Sequence, residues 1–196
     1  MKLLSLIFLL SFSFLSLQAQ EYISSIRDFQ TELNQKFKDP EKSPLTAKDL
    51  QNFKGLNFYP IQEKYRVVAN FQRAKDAIPF QMKTTTSRMP TYELYGIASF
   101  ELDGETYSLN IYQSHDLRKM EDYKDHLFLP FTDLSSGDGT YGGGRYIDLN
   151  IPEGDSIVID FNKAYNPYCA YNYKYSCPIP PKENDLPIAI EAGVKY

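Results

Sequence analysis

This 196-residue chain has no tryptophan and little histidine or cysteine, and its basic residues do not outnumber its acidic ones. It has no Trp, two His and two Cys, and its formal net charge is −4. A metal site built on the two cysteines would need further ligands, and the only histidines lie far off in sequence, so we expect neither a metal nor a cofactor. The acidic balance argues against nucleic acid as a partner, because binding to phosphates requires concentrated Lys and Arg.

The N-terminus has the layout of a secretory signal peptide. Met1-Lys2 carries a positive charge, residues 3–17 are almost wholly Leu, Ile, Phe and Ser, and Ala19 is a small residue at the end of the run. We predict cleavage between Ala19 and Gln20, which would place the protein in the periplasm or outside the cell. An uncleaved anchor is the alternative, although the run is shorter than the roughly 20 residues of a membrane span. After cleavage we expect no transmembrane span.

Residues 20–196 have the length of a single globular domain, and two helices are predicted at its start. Residues 21–38 place apolar side chains at spacings of three and four, which is typical of an amphipathic helix. A short second helix is predicted to begin after Thr46, which can cap it together with Asp49, and to end at Gly55.

From residue 65 the period of the apolar residues changes to two, which indicates strands. We predict strands at residues 65–71, 77–82, 126–131, 145–150, 156–161 and 186–192, and a hairpin over residues 92–113 that turns at Asp103-Gly104. Many short strands with tight connections predict a mainly β fold, an antiparallel sandwich or partly closed barrel, with the two N-terminal helices at one side or end.

Two long irregular segments, residues 132–144 and 162–185, are candidate functional loops. The first is rich in glycine, but no Gly-Lys-Ser/Thr follows it, so a phosphate-binding loop is disfavoured. At its end Arg145 alternates with two aliphatic residues and therefore shares their face of a strand. A buried Arg needs a carboxylate or a ligand anion, and Asp160, on a face with Asn162, is the partner that we expect.

The second segment contains both cysteines, Cys169 and Cys177. In an exported protein such a pair favours a disulfide, which would stabilise the fold by roughly 2.5 kcal/mol on the chain-entropy model. Two alternatives are a nucleophilic Cys with a His as base, and two reduced, packed thiols.

The C-terminal residues resemble a bacterial and archaeal family known only as domain of unknown function 1684. Its patterns F-x-D…G-R-Y, D-F-N-x-A-Y-N-P-x-C-A-Y and C-P-x-P-P-x-E-N correspond to residues 131–146, 160–171 and 177–184 of this chain. Similar proteins occur with and without export signals, which implies that the cysteines can serve a site as well as a disulfide. The resemblance implies no reaction.

Our leading hypothesis is a β domain that binds a small polar molecule, a sugar or a carboxylated metabolite, in a pocket lined by Tyr, Asn and Arg. The predicted ligand-binding residues are Arg145, Tyr146, Asp160, Asn162, Tyr165, Asn166, Tyr171 and Asn184. A hydrolase-type enzyme that uses Asp160, Glu183 or Cys169 is a second hypothesis, and an envelope structural protein without a ligand is a third. We expect the two irregular segments to fold together and to bring Arg145 and Asp160 to one hollow.

Overall fold

The computed structural model describes the backbone of residues 2–196 and the side chains of residues 18–196. It begins with one long helix, α1 (Lys2–Lys38). Most of the predicted signal peptide lies outside the described side chains, so it stays a prediction. In the part of the chain that is described, no helix is long and apolar enough to cross a membrane.

The prediction of two N-terminal helices is not confirmed. Helix α1 includes the predicted residues 21–38 and buries Ile26 and Phe37. The second segment forms only a six-residue helix, α2 (Ala47–Asn52), which is capped by Thr46 as expected but buries no residue. A helix of fewer than two turns has too little apolar surface to form a layer of the fold, so the molecule has one long helix beside its sheet.

The rest of the chain is mainly antiparallel sheet. The strands are β1 (Arg66–Arg73), β2 (Phe80–Gln81), β3 (Thr91–Leu102), β4 (Glu105–Ser114), β5 (His126–Asp133), β6 (Arg145–Asn150), β7 (Ser156–Asp160) and β8 (Asp185–Leu186). The order β6-β5-β4-β3-β1-β7 forms an antiparallel half-barrel, while β2 pairs with β3 and β8 joins β5 in parallel. The predicted mainly β class is therefore correct.

The hairpin between β3 and β4 follows the prediction closely. Asp103 and Gly104 both have positive φ, 51° and 87°, as a type I′ turn requires. The predicted strand at residues 186–192, in contrast, is wrong beyond Leu186. Pro187 cannot donate to a ladder, and the backbone N–H of Ile190 donates to the carboxylate of Asp133 instead of to a neighbouring strand.

The half-barrel is apolar over the whole of one face and over part of the other, along β3–β6. One face packs on the C-terminal residues that include Ile190 and Ala192, and this cluster forms the main core. The other face of β3–β6 carries a second, aromatic cluster that includes Tyr92, Phe128 and Tyr146. Because side chains alternate between faces along a strand, β6 contributes Ile147 to the first face and Tyr146 to the second.

Candidate functional site

A pocket of about 620 Å³ lies over the aromatic face of β3–β6. Its floor is formed by the sheet, and its walls come from α1 and from residues 165–178. Most of its lining is aromatic or aliphatic: Phe29, Leu33, Tyr92, Phe128, Tyr146, Tyr165, Tyr168 and Tyr175. Polar or charged side chains enter at fewer points, namely at Glu32, Lys36, Arg88, Ser114, Asp116, His126, Asp148 and Ser176. A largely apolar hollow with few polar groups is typical of small-molecule sites.

The aromatic rings of the floor contact one another. The ring centroid of Phe128 lies 5.8 Å from that of Tyr92 and 4.7 Å from that of Tyr146, and Tyr146 lies 5.9 Å from Tyr165. The Tyr146 hydroxyl donates to the carbonyl of Pro178, which ties the floor to the wall. These tilted and edge-to-face contacts fix the rings in position, so the floor is rigid before any ligand arrives.

A carboxylate at the edge of this floor is held by two neighbouring side chains. Asp148 Oδ1 lies 2.8 Å from His126 Nε2, and Asp148 Oδ2 accepts a hydrogen bond of 2.8 Å from the Tyr165 hydroxyl. Burial, and then the charge of Asp148, raise the pKa of Tyr165 well above its ordinary value, so this phenol stays a donor. A carboxylate oxygen has two lone pairs, so each oxygen of Asp148 retains one for a ligand.

Strand register explains why His126 and Asp148 meet. Phe128 pairs with Asp148 across β5 and β6, and His126 lies two residues before Phe128, on the same face. Diagonal neighbours across an antiparallel pair are within reach of long side chains. Asp148 was not among the predicted site residues, although its alternation with Tyr146 along β6 places both residues on one face.

Arg88 stands at the wall of the pocket beside residues 175–178. Its Nε donates to Ser176 Oγ over 3.1 Å, and its Nη2 donates to the Ser176 carbonyl over 2.8 Å. The segment before Arg88 is bonded to the same wall, since the Thr85 N–H donates to the Cys177 carbonyl over 2.9 Å. No sequence pattern marks Arg88, because its partner lies far along the chain.

The two cysteines lie side by side at this wall, and Cys177 lines the pocket. Cys177 is buried and Cys169 half-buried, both are free thiols in the structure, and the N–H of Cys169 donates to Cys177 Sγ over 3.1 Å. Burial and the hydrogen bond with Cys169 raise the pKa of Cys177 to about 12. A thiol that is protonated at neutral pH is a poor nucleophile. The disulfide between these residues stays a prediction.

Arg145 does not reach the pocket, and its expected pairing with Asp160 is wrong. The Arg145 side chain is fully buried on the main-core face, where Nη2 donates over 2.8 Å to Asp133 Oδ2 and to the Ile190 carbonyl. Register is the reason: Arg145 pairs with Phe131 on β5, and Asp133 follows two residues later on the same face. Asp160 ends β7, at the far end of the strand order.

Asp160 and Asn162 are neighbours, as expected, but they contact α1 and the chain before β1. Asn162 Nδ2 donates to Asp160 Oδ1 over 3.0 Å, and the Tyr22 hydroxyl donates to the same oxygen over 3.2 Å. Asn162 Oδ1 accepts from the N–H of Gln62 over 3.1 Å. The group therefore attaches the long helix to the end of β7.

The remaining predicted residues also lie apart from the pocket. Asn166 Nδ2 donates to the Tyr171 hydroxyl over 3.1 Å, below the surface. The buried side chain of Asn184 links β4 to β5, since its amide bonds both backbone groups of Asn110 and the carbonyl of Pro130. Of the predicted ligand-binding residues, Tyr146 and Tyr165 line the pocket.

The second irregular segment returns to the strand that follows the first, since Tyr165 and Tyr146 of β6 exchange backbone hydrogen bonds of 2.9 and 3.0 Å. No residue of the first segment, 132–144, lines the pocket, so the expected hollow between the two segments is not this pocket. The carboxylate beside Tyr146 and Tyr165 is Asp148 instead of Asp160. Within residues 18–196, no group of three or more His, Cys, Asp or Glu side chains is placed to hold a metal ion.

Fold and site together define a half-barrel domain with an aromatic pocket on the face opposite its main core. The chain belongs to the family described as protein of unknown function (DUF1684), whose model matches residues 51–195. This confirms the family assigned from the C-terminal motifs. The chain is also similar to an uncharacterized protein from gene locus rrnAC0354 of Haloarcula marismortui, solved by solution NMR. The two are 30% identical, with 91% of this chain and 96% of that chain covered and a TM-score of 0.71. No curated protein matches the chain.

Proposed function

We propose that this protein is an exported binding module that holds a small polar molecule, best matched by a sugar, in the pocket over β3–β6. The observation that carries the proposal is the carboxylate of Asp148, which His126 and Tyr165 hold at 2.8 Å each beside a floor of aromatic rings. Sugars present an apolar C–H face and a rim of hydroxyl groups, and this site offers a complementary surface to each.

The chemistry of the pocket supports a sugar in two ways. Aromatic side chains supply a large, rigid contact area, and each Tyr ring also carries a hydroxyl group that can hydrogen-bond to water or to a ligand. Tyr168 and Tyr175, with ring centroids 5.2 Å apart, form part of the wall, and among the described residues neither hydroxyl has a partner. These phenols and the free lone pairs of Asp148 would bond ligand hydroxyls.

Export is supported by the residues of the N-terminal 19 positions, with their charged start, apolar run and small residue at the end. Native mass spectrometry of protein purified from the periplasm tests this and the binding proposal together. We expect a chain that begins at Gln20 and, in gentle conditions, an adduct with the mass of a retained sugar.

The sharper test is the Asp148→Asn variant, which keeps the shape of the side chain and removes its charge. A hydrogen bond to a charged group contributes about 1.5–3 kcal/mol, and each 1.4 kcal/mol is tenfold in affinity. We therefore expect sugar affinity, measured by calorimetry over a panel of mono- and disaccharides, to fall at least roughly 10-fold.

Asp122→Asn is the matched control, because Asp122 is an exposed carboxylate that does not line this pocket. It should leave affinity unchanged. Equal sugar affinity in wild type and Asp148→Asn, or the absence of any sugar binding across the panel, would contradict the proposal.

A further inference from the structure

We infer that the ligand of this pocket carries a carboxylate, which places it among acidic sugars containing uronic acid, and that Arg88 is the group that binds the carboxylate. This inference rests on the proposed sugar-binding function and narrows its ligand class. The observation behind the inference is that the Arg88 guanidinium, at the pocket wall, donates only to neutral groups within residues 18–196.

Only one edge of the Arg88 guanidinium is hydrogen-bonded to the protein. Nε and Nη2 donate to the hydroxyl and the carbonyl of Ser176, at 3.1 and 2.8 Å, and among the described residues Nη1 has no hydrogen-bond partner. No carboxylate of the described chain lies within 4.0 Å of Arg88. A guanidinium keeps its charge at any ordinary pH, and its planar fork matches a carboxylate bidentately.

The anchor of Arg88 is itself fixed by a network of short bonds. Ser176 Oγ lies 2.6 Å from Thr86 Oγ1 and 2.9 Å from Thr84 Oγ1, and Thr84 forms a backbone bridge with Pro178. The conformational freedom of the wall is therefore already lost before a ligand binds. Such preorganisation increases affinity, because less ordering remains to be done on binding.

The charge of Arg88 acts inside the pocket as well as at its edge. Burial raises the pKa of Tyr92, a residue of the floor, and the positive charge of Arg88 opposes that rise. Lys36 adds a second cation on the α1 side, with Nζ 5.3 Å from the ring centroid of Tyr168. A ligand bound on the floor would therefore lie near two positively charged side chains, Arg88 and Lys36.

Three acidic residues line the pocket, Glu32, Asp116 and Asp148, and none of their carboxylates lies within 4.0 Å of the Arg88 guanidinium. Asp116 pairs with Lys119 at 3.3 Å. Asp148 is on β6, three strand positions from β3, and Arg88 directly precedes β3. A ligand with a carboxylate at one end and hydroxyl groups at the other would meet Arg88 and Asp148 together.

The experiment compares an aldobiouronic acid, in which one glucuronic acid is linked to a neutral sugar, with its methyl ester, which has the same skeleton and no charge. Both are titrated by calorimetry into wild-type protein and into Arg88→Gln. We expect wild type to bind the acid about 10-fold more tightly than the ester, as one charge-assisted hydrogen bond predicts. In Arg88→Gln both compounds should bind with the affinity of the ester.

Two controls separate charge from folding. Arg88 is exposed, so Arg88→Gln should keep the wild-type circular dichroism spectrum and unfolding midpoint. Arg27→Gln removes the same charge from an exposed position of α1 that does not line the pocket, and it should retain the 10-fold preference for the acid.

The possible failures point to different conclusions. Equal binding of acid and ester to wild type, or an undiminished preference in Arg88→Gln, overturns the role of Arg88 and leaves sugar binding intact. Binding of neutral sugars without binding of the aldobiouronic acid also overturns it. Absence of binding by every sugar tested overturns the proposed function together with this inference.

Discussion

The buried ion pair between Arg145 and Asp133 is the feature whose disruption we expect to destabilise the fold most. Both side chains are 0% exposed. Asp133 Oδ2 accepts from Arg145, while Oδ1 accepts from the N–H of Ser135 at 2.7 Å and from that of Ile190 at 3.3 Å. In Asp133→Asn, the amide NH₂ would face a donor in either orientation, and the charge of Arg145 would lose its counterion.

The expected cost is large compared with the stability of a domain. Removal of one partner from a buried pair typically costs roughly 3–5 kcal/mol, because the other charge stays buried and uncompensated. A single domain is stable by only about 5–15 kcal/mol, so Asp133→Asn should lower the midpoint of urea unfolding substantially. Because Arg145 also bonds the carbonyls of Ile190 and Ala192, amide exchange of residues 190–194 should accelerate as well.

A double-mutant cycle identifies the cause. Arg145→Met alone leaves Asp133 charged and buried, but in the double variant no unpaired charge remains. The double variant should therefore be more stable than the sum of the two single changes predicts, by at least about 2 kcal/mol. Unfolding is followed by far-UV circular dichroism. A cost below about 1 kcal/mol for Asp133→Asn, or simple additivity in the cycle, would refute this account.

One further substitution and one reactivity measurement test other parts of the fold. Tyr22→Phe removes the hydroxyl that bonds Asp160 and should cost about 1 kcal/mol in urea unfolding; Tyr173→Phe, at a residue that is 92% exposed, is the control and should cost nothing. In reduced protein at pH 8, Cys177 should react with iodoacetamide more slowly than in the unfolded chain, because burial raises its pKa to about 12. Since that value lies above the ordinary 9.0, the thiol contributes stability that is complete below pH 9 and is lost towards pH 12. Equal rates in both states would contradict the assignment.

Much of the fold could be predicted from local patterns. The alternation of apolar residues identified most strands, and Asp103-Gly104 identified the hairpin turn, because each depends on residues a few positions apart. The two elements that were predicted wrongly, the second helix and the last strand, have equally local explanations. The six residues of α2 had a cap but no apolar stripe to bury, and Pro187 interrupted the last strand pattern.

The candidate site was less predictable, because its parts come from distant elements. Leu33 on α1, Arg88 before β3, Asp148 on β6 and Ser176 near the C-terminus line one pocket. Tyr146 and Tyr165, predicted from the aromatic-rich C-terminal region, line the pocket. Asp148 was not predicted, since an Asp on an alternating strand gives no local sign of whether its face is covered, open or lined with aromatic rings.

The sequence by itself determined which residues of each strand share a face, where the chain turns, and that Arg145 shares its face with aliphatic residues. It also determined the family, through motifs that are contiguous in the chain. Only the tertiary structure decided that Arg145 pairs with Asp133, that Asp160 bonds Tyr22 of α1, and that the open hollow lies on the opposite face of the sheet. The physical reason is that the facing of a side chain follows from the period of its own strand, whereas its partner depends on strand order and register, which are properties of the assembled sheet.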